Sequence, residues 1–342
     1  MPYFMALNFS QILPIISLEL VEESVMEKKI KVGISSCLLG VKVRYDGGHK
    51  RSQYVNEVLS EYFDWVPSCP EVAIGLPTPR DSIQLKKIDG KTRLYNPKSD
   101  TDLTEKMEEY SEKRVSELKD QEIYGYILKA KSPSCGMERV KIYKGHAIAP
   151  DTKGVGVFAK ALLNMYPNLP VEEEGRLMDP HLRENWISRV FAYYSFRTIM
   201  YPEPRLGKLV GFHSQYKFKI LSHCQASYRE LGRIVANGKS KPIEEVLREY
   251  EDLFMEALSK RASRKNHQNT MEHILGFFKK DLPKDARTQL RTSIQDYKDG
   301  YTSLVVPITL LKHYSQLLEV DYLEKQIYLS PHPKKLSLLV KI

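Results

Sequence analysis

Between residues 28 and 177 the apolar positions come in short runs separated by longer stretches with helical spacing. Residues 29–35 (KIKVGIS), 64–67 and 124–129 (YGYILK) read as strands, with a further one at 169–172. Residues 53–62, 104–118 and 155–165 carry apolar positions at intervals of three and four and read as helices. Strands alternating with helices predict an α/β N-terminal domain, 28–177, with a largely parallel sheet. Residues 82–96 read as a hairpin turning at Asp89-Gly90, placed to act as a flap.

Beyond residue 177 the strand signals largely stop. Residues 186–200, 217–236, 242–259, 267–278, 284–299 and 305–317 have helical periodicity, broken by Pro202, Pro204, Gly238, Pro283 and Gly300. Residues 206–342 therefore read as an all-α C-terminal domain. Residues 178–205 read as a linker helix whose proline-bearing end, 201–205, is the hinge. Residues 1–27 precede the first strand and read as an N-terminal extension with no assigned function. No internal repeat is visible.

At 342 residues the chain has the length of two domains of ~100 to 200 residues each. The apolar run 12–20 is interrupted by Pro14 and Glu19 and is far below the ~20 residues of a membrane span. No basic residue precedes it, Lys28 being the first, so a secretory signal is not expected either. The expected compartment is the cytoplasm, with no membrane partner, and nothing points to a protein partner. The net charge of +9 is unevenly placed: residues 1–177 carry 25 basic and 25 acidic side chains, residues 178–342 carry 27 and 18. A polyanionic partner is thus expected on the second half.

Four cysteines in 342 residues is an ordinary count, and the reducing cytoplasm expected here disfavours structural disulfides, but three share a context. Cys37 (SSCLLG), Cys69 (SCPEV) and Cys135 (SPSCG) each sit in a short turn after a predicted strand. In an open parallel sheet such turns gather beyond the carboxyl ends of the strands, so the three thiols can meet in one site. Burial is the plain reading for one such cysteine; three with flanking Gly40, Pro70, Pro133 and Gly136 favour a shared ligand set. Zinc is an alternative, although structural zinc sites usually take four ligands, often in Cys-x-x-Cys pairs, which are missing here. Three thiolates suit a [4Fe–4S] cluster with one iron left open.

The segments SSCLLGVKVRYDGGHK from Ser35, SCPEVAIGLPTPR from Ser68 and KAKSPSCG from Lys129 together resemble the DUF523-type desulfidases. The thiouracil-desulfidase members of that family bind a [4Fe–4S] cluster on three cysteines. The resemblance spans roughly residues 28–175. Downstream, GFHSQYKFKILSHCQASYRELG from Gly211, VPITLLKHY from Val306 and YLSPHP from Tyr328 resemble the DUF1722 (YbgA-like) domain. The tandem is similar to the bacterial tRNA 4-thiouridine desulfidases, which implies conversion of 4-thiouridine in tRNA to uridine. It implies Cys37, Cys69 and Cys135 as cluster ligands and tRNA as partner.

A soft thiocarbonyl sulfur suits an open iron acting as Lewis acid while water attacks C4. Glu71 and Ser132 match the desulfidase pattern as catalytic groups, against the plain readings of a helix cap and a turn former. Ser134 and Asp46 are second choices, Asp46 mainly as a brace for the RYDGG turn. Arg80 is the expected substrate contact among the motif cations Arg44, Lys50, Lys129 and Lys131. In the helical half, Lys217, Lys219, Arg229 and Arg233 interleave with aromatics and are expected to meet RNA. Cys224 is read as core, one helical step from His223 and outside the ligand set. Two other readings keep the same cysteines: a desulfidase of free thiouracil or thiouridine, and a non-catalytic, metal-stabilised RNA-binding protein.

Overall fold

The computed structural model describes residues 29–144, 149–333 and 336; the N-terminal extension, 1–27, lies outside them. Four strands form a wholly parallel sheet in the order β2-β1-β6-β9: β1 (Ile30–Ser35), β2 (Phe63–Ser68), β6 (Tyr126–Leu128) and β9 (Val171–Glu173). The short helix α1 (Gln53–Glu57) leads from β1 to β2, and α2 (Pro70–Ala73) follows β2. The long α3 (Thr104–Asp120) precedes β6, and α4 (Val157–Met165) precedes β9. From residue 180 every regular element among the described residues is helical. The fold class is therefore an α/β domain followed by an all-α one.

A second sheet, order β5-β4-β3-β7-β8, was not legible in the sequence. Its core is the predicted hairpin, β3 (Gln84–Ile88) and β4 (Lys91–Asn96), turning at Asp89 (φ 47°) and Gly90 (φ 77°). The hairpin is flanked by β5 (Thr101–Asp102) on one side and by β7 (Val140–Tyr143) and β8 (Asp151–Gly154) on the other. Leu85, Leu94, Leu103, Met107 and Val140 close a small core beneath it. It is the centre of a sheet and not a flap.

The segment expected to be a linker is the helix α5 (Pro180–Met200), started by Asp179, whose side chain accepts from the His181 and Leu182 N–H groups. Its N-terminal half covers the parallel sheet. Trp186, Ile187, Val190 and Phe191 pack on Ile30, Val32, Ile34 and Phe63, with Trp186 edge-on to Phe63 at 5.8 Å. Its C-terminal half enters the helical region, where Phe196 and Met200 meet Phe212, Tyr250 and Phe254. One continuous apolar core thus runs from β6 through α5 into the helices, and the bend at 201–205 turns the chain without parting the halves.

The expected helix 217–236 is two helices, α6 (Leu206–His223) and α7 (Gln225–Ala236), because Cys224 is extended (φ −153°, ψ 111°). Tertiary contacts hold the break: Asn266 Nδ2 donates to the His223 carbonyl oxygen at 3.1 Å, and His223 Nδ1 faces the Lys260 carbonyl oxygen at 2.6 Å. Then come α8 (Ile243–Ser259), α9 (Arg264–Leu275), α10 (Lys284–Asp299), α11 (Val305–Leu317) and α12 (Asp321–Glu324). The segment after α12 returns to the sheet-covering helix, His332 Nε2 lying 2.6 Å from Glu184 Oε1. Among the described residues no helix is long and apolar enough to cross a membrane.

In the middle of the parallel sheet, a Cβ on Gly33 would sit 2.1 Å from Cδ2 of the fully buried Tyr126. The ring has nowhere to go in a packed core. Gly33→Ala is expected to cost about 1–3 kcal/mol, the usual penalty of overpacking, measured as a lower melting temperature of the full chain.

Candidate active site

Register brings the three cysteines together. Ser35 pairs with Ser68 across β1 and β2, and Ile34 pairs with Ile127 across β1 and β6, so the three strands end at one rim. Cys37 lies in a 3-10 turn just past β1, closed by Gly40 at φ 95° and anchored by the Lys50 N–H donating to its carbonyl oxygen at 2.9 Å. Cys69 directly follows β2 and precedes Pro70, the first residue of α2. Cys135 follows the turn after β6, where Gly136 N–H donates to the Ser132 carbonyl oxygen at 2.8 Å. A Cβ at Gly136 would fall 2.5 Å from Val140 Cγ2 and 2.8 Å from that same oxygen, so glycine follows the cysteine for want of room.

All three thiols line one cavity of ≈ 390 Å³. Burial pushes Cys37 up to about 11, opposed by the Lys129 ammonium, and raises Cys69 and Cys135 too. Cys69 further raises both of the others, so the three sulfurs lie within electrostatic reach of one another. Buried neutral thiols are inert, and a metal centre that replaces their protons turns them into strong ligands. The donor set is therefore three soft sulfurs facing a shared space, which fits an iron–sulfur cluster.

Beside the thiols, Glu71 from the first turn of α2 meets two serines of the Cys135 loop. Its Oε1 accepts from Ser134 Oγ at 2.6 Å and from Ser132 Oγ at 3.3 Å, and the two hydroxyls are 2.9 Å apart. Ser132 Oγ also accepts from the Ser134 and Cys135 N–H groups at 3.3 and 3.1 Å, shaping the loop as well as touching Glu71. Glu71 Oε2 is gripped by the Nε and Nη2 of Arg80, whose side chain is 4% exposed. Arg80 Nη1 donates to the carbonyl oxygens of Val43 and Pro77. The guanidinium expected to meet substrate is thus committed to fixing Glu71.

Lys129 pairs with Glu174, whose other oxygen accepts the Ala130 N–H at 2.7 Å and ties down the start of the Cys135 loop. The acidic run 172–174, which ends β9 and runs one residue past it, is the only trace of that role in the sequence. Asp46 Oδ1 accepts from the Gly48 N–H at 3.0 Å and braces its turn. Arg44, Lys50 and Lys131 line the cavity.

The four basic residues of the helical half are not brought together. Arg229 and Arg233 stand exposed on α7, Arg233 paired with Glu230. Lys217 lies over the rings of Phe218 and Tyr322, at 5.2 and 4.7 Å. Lys219 is drawn inward, between α6 and its neighbours, where burial lowers it to about 8. Cys224 sits between α6 and α7, away from the other cysteines, its thiol lowered by a hydrogen bond from Ser227.

The 2-thiouracil desulfurase family matches residues 32–174, and the DUF1722 family, of unknown function, matches residues 217–333. The chain is similar to YbgA, an uncharacterised Escherichia coli (strain K12) protein, with 28% identity over 45% of this chain and 92% of YbgA. It is 32% identical to YbbK, an uncharacterised Bacillus subtilis (strain 168) protein, over 38% of this chain and 87% of YbbK. A solved structure described as the [4Fe-4S]-dependent thiouracil desulfidase TudS is 32% identical, with a TM-score of 0.37, over 44% of this chain and 95% of that one. With the family match spanning all three cysteine turns and YbbK matched over most of its length, the chain belongs to the 2-thiouracil desulfurase family, its family domain followed by a DUF1722 domain.

Proposed function

We propose that the chain is a [4Fe–4S]-dependent desulfidase that converts 4-thiouridine in tRNA to uridine. The observation that carries this reading is the convergence of Cys37, Cys69 and Cys135 on one cavity that also holds Glu71, Ser132 and Ser134. The three cysteines would hold the cluster. When bound, it supplies an iron without a protein thiolate, a Lewis acid suited to a soft thiocarbonyl sulfur. The net change is hydrolysis: the oxygen of water replaces sulfur at C4, and hydrosulfide and a proton leave.

This chain's own groups manage the protons. Glu71 Oε1 already accepts from both serine hydroxyls, so a proton taken from water in the cavity reaches the carboxylate through Ser132 or Ser134 as relay. Arg80 holds the carboxylate at that place. The Lys50 and Lys131 side chains at the cavity give the mouth a positive edge that suits a nucleotide phosphate. The tRNA assignment rests on the second half, which carries the whole charge excess of the chain. A base stacked in tRNA has to be exposed or flipped to enter.

A second reading, desulfuration of free thiouracil, is supported by the cavity lining, which comes from residues 35–135 alone. Sulfide release from 4-thiouridine-containing tRNA and from free thiouracil, measured anaerobically on the full chain, separates the two. Higher kcat/KM on tRNA is expected; the reverse order supports the free base. Zinc in place of iron, with no sulfide released from either, returns the chain to a non-catalytic RNA-binding role. The affinity for tRNA is expected to fall at least about tenfold between ~50 and ~200 mM salt, as two or more neutralised phosphates require. Salt-insensitive binding would remove the electrostatic basis of the tRNA reading.

A further inference from the structure

Away from the cysteines, four nitrogen-bearing side chains gather where α5, α6 and α9 meet: Arg189, Lys219, His223 and His267. Lys219 and His223 stand one turn apart on a single face of α6. The Asn266 bond to the His223 carbonyl oxygen sets the start of α9 against the end of α6. His267 is held there by the Tyr328 hydroxyl, 2.9 Å from its Nδ1, and by the Tyr297 ring. Lys219, His267 and Arg189 all lie within Coulombic reach of His223.

Two nitrogens of these groups lack partners among the described residues. His223 is 6% exposed, and its Nε2 is buried without a hydrogen-bond partner among the described residues. The same is true of Arg189 Nε, which can only donate. Buried polar atoms are almost always satisfied, so a pair of such orphans in one place marks a missing partner. The remaining side-chain surface of Arg189, Lys219 and His267 is partly open, which leaves a way in.

The carboxylates in reach are engaged elsewhere. Glu184, the acid that acts on Lys219, lies 2.6 Å from His332, and Glu172, the acid that acts on Arg189, is bound by Arg176 at 2.6 Å and by the Glu173 N–H. For Lys219 and Arg189 burial outweighs the pull of these shared acids, and positive groups withdrawn from water with so little counter-charge are costly. Burial and mutual repulsion accordingly hold both histidines toward the neutral ring. A metal ion would add to that repulsion, whereas an anion would relieve it.

We propose that Arg189, Lys219, His223 and His267 form a recessed site for one phosphate-type oxyanion, which accepts from Arg189 Nε and from a protonated His223 Nε2. A tetrahedral oxyanion offers several acceptors to donors arriving from three helices, and charge-assisted bonds of this kind are the strong ones. Neutral His223 keeps its proton on Nδ1, facing the Lys260 carbonyl oxygen, so binding takes up a proton at Nε2. The site stands whether or not the cysteine half is a desulfidase.

The test is calorimetric titration of the full chain with inorganic phosphate at constant ionic strength, in two buffers of different ionisation enthalpy. Saturable one-to-one binding with proton uptake is expected, weakened at least about tenfold in Lys219→Met and in His223→Leu, each of which removes a charge-assisted contact. Lys219→Met keeps the aliphatic stem and sheds a charge that burial disfavours more than Glu184 supports it, so it is expected to melt no lower than the wild type without phosphate. It therefore reports on binding even if the histidine variant fails to fold. No saturable binding by the wild type, or unchanged affinity in Lys219→Met, overturns the site. Competition by tRNA assigns the occupant to a backbone phosphate; phosphate binding unaltered by tRNA assigns it to a free phosphate-bearing molecule.

Discussion

Cys37→Ala, Cys69→Ala and Cys135→Ala are each expected to abolish both sulfide release and the broad visible absorption of the anaerobically purified chain, whereas Cys224→Ala keeps both. The first three thiols occupy three adjacent strand ends around one cavity, and none has a substitute there. A cluster held by two thiolates leaves two irons open, and its affinity falls with each ligand lost. Cys224 belongs to the junction of α6 and α7 and packs at the edge of the large core, so it is the control for loss of a thiol as such. Iron and acid-labile sulfide analysis checks the outcome, with about four irons per wild-type chain. Circular dichroism is the control for folding of each variant. If Cys224→Ala also lost its absorption, the cluster would have a fourth protein ligand and no open iron, and the proposed chemistry would fall with it.

The convergence of those cysteines was legible because strand order matters little to it. Any parallel arrangement of the strands ending at 35, 68 and 128 puts the following turns on one rim. The second sheet was hidden for a local reason: β7 reads VKIY and β8 reads DTKG, too short and too polar to show alternation, and their pairing depends on a distant hairpin. The layer formed by α5 was hidden differently. Its buried residues, from Trp186 to Met200, fall on all sides of the helix, which is the pattern of an element enclosed by two partners. The break at Cys224 comes from contacts with residues 260 and 266, beyond the reach of local periodicity. Arg80 shows the limit for side chains. Its place in the LPTPR motif was plain, but a guanidinium that turns inward to a carboxylate nine residues earlier has the same sequence as one that faces a substrate.

Glu71→Gln is expected to lower kcat by about 10²–10⁴, the range of general acid–base catalysis, while iron content and the visible spectrum stay those of the wild type. Glutamine has nearly the same shape and still offers an oxygen to Ser134, so the loop that carries Cys135 keeps its form. What it lacks is the capacity to take a proton and the charge that balances Arg80. Loss of that charge leaves a nearly buried guanidinium unpaired, so the variant is also expected to melt lower, and rates are to be compared well below that melting point. An unchanged rate with an intact cluster would make Glu71 a structural partner of Arg80 alone. The two serines separate loop from relay. Ser132 Oγ accepts two backbone N–H groups, one of them that of Cys135, so Ser132→Ala is expected to reduce cluster content together with rate. Ser134 Oγ makes the shorter bond to Glu71, accepts no backbone N–H and reaches Cys135 only through a 3.8 Å contact with its Sγ, so Ser134→Ala is expected to slow sulfide release with most of the cluster retained. Such a split would place the proton path through Ser134, the serine nearer to Glu71.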